Sequence, residues 1–143
     1  MPPWIWIVVV VVAIAVIGAA LIAQRRRAGR VRLRLRPLPA EAIEGYRARA
    51  DDLERLFVTQ PRQATVAAKL LVDDILVRIG YPVRLTDRER IDDLRRHDAR
   101  NAERYAGGTE IKADANSEQM RRALASHLGM ARDLMDSPRD TGA

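Results

Sequence analysis

The 143-residue sequence contains no cysteine, which excludes thiol catalysis, disulfides and cysteine-ligated zinc. Its net charge of +6, from 25 basic and 19 acidic residues, is unevenly spread: seven arginines fall between positions 25 and 36, and without them 18 basic residues face 19 acidic ones. The basic balance belongs to one short segment, which argues against nucleic acid as a partner of the folded part, where clustered cations interleaved with aromatics would be needed.

Trp4 to Ala23 reads WIWIVVVVVAIAVIGAALIA, twenty residues without a charge, twelve of them Ile, Val or Leu. A helix rising about 1.5 Å per residue makes this about 30 Å long, the thickness of a bilayer's hydrocarbon core. The β-branched run Val8 to Val12 would suit a strand in water, but in lipid only a helix satisfies its backbone groups within one segment. The alternative is a cleaved signal peptide, which wants a positive start, a shorter apolar core and small residues at the cut. Met1-Pro2-Pro3 carries no side-chain charge and Leu21-Ile22-Ala23 is a poor cleavage site, so the span is read as retained. Trp4 and Trp6 suit the headgroup level of one interface. Ala15, Gly18, Ala19 and Ala23 would let two spans approach closely, which makes a homodimer through the span one candidate assembly.

Arg25, Arg26, Arg27, Arg30, Arg32, Arg34 and Arg36 follow the span, and no charged side chain precedes it. The positive-inside bias predicts a cell-membrane protein with Met1 outside and the C-terminal part in the cytoplasm. The same arginines are the expected contacts to anionic lipid headgroups, each contributing ~1 kcal/mol near the membrane surface. Within this stretch RVRLRLR alternates strictly, as a strand with one aliphatic face would. With no second strand to pair with it, an unstructured basic tether is the preferred reading, ended by Pro37 and Pro39. The predicted organisation is a transmembrane anchor at 1–24, an Arg-rich linker at 25–39, a helical domain at 40–136 and a polar tail at 137–143. The fold class is all-α: one transmembrane helix followed by a bundle of about four helices.

The first helix of the domain is predicted from Ala40 to Val58, on a seam of Ile43, Tyr46, Ala50, Leu53 and Phe57 spaced 3, 4, 3, 4. A second starts at Pro61 with Gln60 or Thr59 as cap, and carries the stripe Ala64, Ala68, Leu71, Val72, Ile75, Leu76 and Ile79. Gly80 is its left-handed terminator and Pro82 prevents continuation. The short connection makes these two an antiparallel hairpin. Thr86 and Glu89 form a predicted capping box for a third helix reaching Tyr105 on the seam Ile91, Leu94, Asp98, Asn101 and Tyr105, interrupted at Gly107-Gly108. Asn116 to Gln119 caps a fourth, with Met120, Leu124, His127 or Leu128, Ala131, Leu134 and Met135 inward.

Phe57-Val58, Pro61, Ala64, Leu71-Val72-Asp73, Ile75-Leu76 and Arg78-Ile79-Gly80-Tyr81-Pro82 together resemble a group of small bacterial, largely actinobacterial, membrane-anchored or secreted helical proteins. In that group a helix opens on Phe-Val-Asp-Asp-Pro and ends on Gly-Tyr-Pro, and a later helix opens with Thr or Ser and Glu, matched here by Ser117-Glu118 and Arg121. Thr59-Gln60 stands where the group has its acidic pair. The resemblance implies the helical hairpin and no assigned activity.

Catalytic patterns are missing. No G-x-x-x-x-G-K, G-x-G-x-x-G, G-x-S-x-G or H-E-x-x-H occurs, so no cofactor, metal or catalytic residue is assigned and the chain is not read as an enzyme. Asp93 and His97 share a helix face at a spacing that could supply two metal ligands, but no third is in sight and an ion pair at the surface is the plainer reading. His127 reads as a packed histidine. The pairs Asp51-Asp52, Asp73-Asp74 and Asp92-Asp93 diverge by about 100° and read as solvated faces. The favoured function is a single-pass adaptor or scaffold presenting a bundle face to another protein. The alternatives are a tethered hydrolytic or metal-assisted enzyme using Asp93, His97 and one of the other acids, or nucleic-acid binding through Arg25 to Arg36.

Overall fold

Pro61 has no backbone N–H to donate, so a new helix can start on it where an older one could not run through. The computed structural model describes residues 33–137, in which α1 (Ala40–Thr59), α2 (Pro61–Ile79), α3 (Asp87–His97), α4 (Ala99–Thr109) and α5 (Ser117–Asp136) follow one another without a strand. Gln60 alone separates α1 from α2. It occupies the cap position, but its side chain makes no capping hydrogen bond; one turn on, the Thr65 hydroxyl donates to the Pro61 carbonyl at 2.8 Å. The two helices form the expected antiparallel hairpin, and the Tyr46 hydroxyl crosses it to donate to Asp74 Oδ2 at 2.9 Å.

Every residue of the predicted α2 stripe, from Ala64 to Ile79, is buried, because α1 and α5 both pack on this helix. On α1 the seam closes over Tyr46 and Ala50, with Ile43, Leu53 and Phe57 half-buried. α5 contributes Met120, Leu124, Leu128, Met130, Ala131, Leu134 and Met135, so it is the second wall of the core. Arg132 also reaches Glu54 on α1 at 2.6 Å. From Arg34 onward the described residues make one unit.

The end of α2 is closed by Gly80 at φ 118°, with the Gly80 N–H donating to Val77 O at 3.1 Å and the Tyr81 N–H to Leu76 O at 2.9 Å. A Cβ at position 80 would lie 2.6 Å from the Arg34 carbonyl oxygen, so glycine is required by both backbone angle and space. A tether is the sequence expectation for the chain before Pro37, yet from Arg34 it lies against this turn. The reason is the Ile79 carbonyl, which the helix leaves without an internal donor and which accepts from the Arg36 N–H at 2.8 Å. Leu38 is buried behind it.

The third predicted helix is two helices, which raises the expected four to five. Asp98, at φ −155° and ψ 82°, leaves the helical region and caps α4, its Oδ1 accepting from the Asn101 N–H at 3.1 Å. Aspartate competes with the helix for its own backbone donors, so the polar position on the seam is where the helix breaks. Gly107-Gly108, expected as an interruption, lies inside α4, which runs on to Thr109. At Thr86 half of the expected box forms: its hydroxyl accepts from the Glu89 N–H at 3.3 Å, while the Glu89 carboxylate receives that same hydroxyl and not a backbone donor. The full box is at α5, between Asn116 and Gln119.

The predicted span Trp4 to Ala23 lies outside the described residues, and with it Trp4, Trp6, Ala15, Gly18, Ala19 and Ala23. So do Arg25, Arg26, Arg27, Arg30, Arg32 and the tail beyond Ser137. Among the described residues no helix is long and apolar enough to cross a membrane.

Candidate functional site

Adjacent residues leave a helix about 100° apart, so only one of Asp73 and Asp74 can face the bundle. Asp74 faces out, near Tyr46 and Arg49. Asp73 faces in, its side chain 26% exposed, and takes the Tyr105 hydroxyl on Oδ1 at 2.7 Å and the Lys69 ammonium on Oδ2 at 3.1 Å. Lys69 also pairs with Asp87 Oδ1 at 2.8 Å, and the Tyr105 hydroxyl lies 3.3 Å from that oxygen. Arg90 completes the group: its Nη1 donates to the Pro82 carbonyl at 2.9 Å, and its buried Nε, which has no hydrogen-bond partner, sits 3.7 Å from Asp73 Oδ1. Side chains from α2, α3 and α4 thus converge, and the two formal positive charges balance the two negative ones.

This cluster holds protons firmly. Burial alone would lower the Lys69 ammonium, but its hydrogen bonds to Asp87 and Asp73 outweigh burial and hold it above its ordinary value. The Tyr105 phenol is pushed far up, by burial first and then by its hydrogen bond to Asp73. Neither is a base or nucleophile near neutrality, so the cluster is an ion-pair joint that ties α3 and α4 to α2.

A second joint lies beside it. Arg84 donates from Nε to Asp93 Oδ2 at 2.6 Å and from Nη2 to Oδ1 at 2.8 Å, a bidentate pair that leaves the Asp93 carboxylate buried. His97 is not paired with Asp93; it packs edge-on against the Tyr81 ring with centroids 6.1 Å apart. The two are therefore not brought together as ligands, and among the described residues no three of His, Asp or Glu are grouped to hold a metal. Asp73 and Asp93 correct the reading of the acidic pairs as solvated faces: one member of each of these two pairs turns inward because Lys69, Arg90 and Arg84 meet it there. The sequence signal for the first joint was Lys69 four residues before Asp73. Nothing in the sequence joined Asp87, Arg90 and Tyr105 to it.

His127 on α5 is fully buried, neither ring nitrogen has a hydrogen-bond partner, and the ring meets Tyr105 edge-on at 5.9 Å. Gly108 makes room for it: a Cβ there would lie 2.5 Å from Nε2 and 2.6 Å from Cε1. Burial lowers the imidazole pKa, Lys69 lowers it further, and the Gly108 backbone, Asp73 and Asp87 oppose the shift without reversing it. A histidine held neutral in the fold but free to protonate when unfolded stabilises the fold above its ordinary value, near 6.5, and loses that contribution as pH falls below it. Urea midpoints are therefore expected to drop between pH 7 and pH 5.5, with a shallower slope in His127→Gln.

Beyond Gly108 a cavity of about 140 Å³ opens between α2 and the segment after α4, with Val66, Ile111 and Met120 on its apolar wall and Lys69 at its edge. Of the arginines expected at headgroups, Arg34 and Arg36 are described and both are exposed, on either side of an exposed Leu35. Searches against protein families, curated proteins and solved structures find no match, so the resemblance at Phe57 to Pro82 stands on those residues alone.

Proposed function

We propose that this chain is a single-pass membrane protein that presents a helical interaction module to another protein at the cytoplasmic face of the cell membrane. One observation carries the reading. Lys69, Asp73, Asp87, Arg90 and Tyr105 are held to one another, and Arg84 to Asp93, so these inward-turned polar groups serve the fold, while α2 keeps an apolar strip among its exposed side chains. Val66, Leu70 and Val77 are exposed and fall within about 40° of arc on its outer face. Anchorage is supported by the uncharged run Trp4 to Ala23, orientation and contact with anionic lipid by the arginines from Arg25 to Arg36, and self-association by Ala15, Gly18, Ala19 and Ala23.

No reaction is assigned; in the enzyme alternative Asp93 would have to act while paired with Arg84. Nucleic-acid binding would rest on the arginine segment alone and would show a steep salt dependence that vanishes with that segment. A photo-cross-linking residue placed at Leu70 of the full chain in cells is expected to yield a discrete adduct that is lost on Val66→Glu. The same residue at Val58, at the hairpin tip, is the control; identical adducts from both positions would refute the α2 face.

A further inference from the structure

Tyr81 is buried and the Arg84 side chain turns inward to Asp93, so in the connection from α2 to α3 the residues between and after them turn outward: Val83 is 75% and Leu85 96% exposed. Both are aliphatic, and water is a poor surrounding for them. Gly80, three residues before Val83, touches the backbone of Arg34 and Leu35, and Arg36 is bonded to Ile79. The chain therefore places Leu35, Val83 and Leu85 at one end of the domain, with exposed Arg34, Arg36 and Arg88 beside them. The nearby acids are Asp87, which is paired with Lys69, and Glu89, which is turned to the Thr86 hydroxyl. Val58, also exposed, sits at the opposite end of the α1–α2 hairpin, a helix length of about 28 Å away.

What covers this end is indicated by where the rest of the chain leaves. Arg34 is the point at which the domain continues into the arginine segment, and Leu33 stands ten positions after Ala23, the last residue of the uncharged run. Fully extended, ten residues span at most about 36 Å. A domain tethered this closely has one end within reach of the headgroups at all times. Arginines paired with protruding aliphatic side chains are the combination that binds an anionic interface, the cation to phosphate and the aliphatic tip below it.

We infer that the α2–α3 connection is a second membrane contact: Val83 and Leu85 insert into the headgroup region of an anionic leaflet while Arg34, Arg36 and Arg88 hold its phosphates. This rests on the anchored reading above, and it fixes which end of the domain faces the bilayer. The hairpin tip at Val58 then points away from the membrane, and the apolar face of α2 stands upright on it, open to a partner from the side.

The absence of native cysteine allows the full chain to carry a single fluorophore at Leu85→Cys or Val58→Cys. Each is reconstituted in nanodiscs of phosphatidylcholine and phosphatidylglycerol containing a lipid with a nitroxide near the headgroup, and washed with alkaline carbonate. The expected result is several-fold stronger quenching at position 85 than at 58, reduced towards the level at 58 by Arg34→Gln with Arg36→Gln or by omitting phosphatidylglycerol. Equal quenching at both positions in carbonate-resistant protein overturns the contact and leaves the anchor standing. A blue shift at 85 without quenching also overturns it, since protein and not lipid then covers the site. Release by carbonate overturns the anchor and the contact together.

Discussion

Asp73→Ala is expected to destabilise the helical domain by about 3 kcal/mol, the lower end of the range for removing one partner of a buried ion pair, because the carboxylate is 26% exposed. The substitution leaves Lys69 with Asp87 alone and moves the Tyr105 hydroxyl to its longer contact, also on Asp87. It leaves the buried Arg90 with no carboxylate beside its unpartnered Nε. Asp74→Ala, on the adjacent residue, removes one hydrogen bond from Tyr46 and one distant arginine contact, and is expected to cost about 1 kcal/mol. Asp73→Asn should fall between the two, since the amide can still accept from Tyr105 but balances no charge. Urea midpoints of the three variants in detergent, followed by helical circular dichroism, give the order directly. Equal midpoints for Asp73→Ala and Asp74→Ala would mean that the joint does not hold α3 and α4 to α2.

Two adjacent glycines are expected to respond to alanine with opposite signs. Alanine in place of glycine inside a helix is ordinarily worth up to about 1 kcal/mol of added stability. At Gly107 a Cβ meets nothing within 4 Å, so Gly107→Ala should gain that amount. At Gly108 the new Cβ would stand 2.5 to 2.8 Å from three atoms of the His127 ring, which is fully buried and cannot swing away without displacing α5 core residues. Overpacking of this kind costs about 1–3 kcal/mol, which exceeds the helical gain, so Gly108→Ala should destabilise. In a His127→Ala background the obstacle is gone, and the effect of Gly108→Ala should change sign. A double-mutant cycle on thermal midpoints reads this out, and additivity of the two substitutions would contradict the ring-on-glycine contact.

The parts of the fold legible in the sequence are those decided by local chemistry. Pro61 and Gly80 bound α2 because one lacks a donor and the other accepts a positive φ, and both statements need only the residue itself. The stripe from Ala64 to Ile79 was readable because a helix covered by two others must be apolar over a wide arc. Where the reading failed, the outcome was decided by tertiary packing or, at Asp98, by a cap taken for a core position. Gly107-Gly108 suggests an interruption, yet α4 continues through both, and at Gly108 the missing side chain leaves the space that His127, nineteen residues later, occupies. Asp98 occupies a heptad position and looks like a weak core residue, whereas its use is to cap α4. Asp73 and Asp93 look like surface acids because the cations that draw them inward, Arg90 and Arg84, come from the α2–α3 connection and the helix after it. The candidate interaction surface was the least legible: exposure of Leu70, Val83 and Leu85 depends on which faces the other helices cover.

The central claim, a cytoplasmic helical domain on a membrane anchor, is tested most directly by topology. Single cysteines near Met1, near Pro39 and near Thr141 of the otherwise cysteine-free chain would be probed in intact cells with a membrane-impermeant maleimide. Labelling near Met1 alone is the result expected, with the other two positions reacting only after permeabilisation. Labelling near Thr141 in intact cells would place the domain outside despite its arginines, and the cytoplasmic interaction module would have to be abandoned.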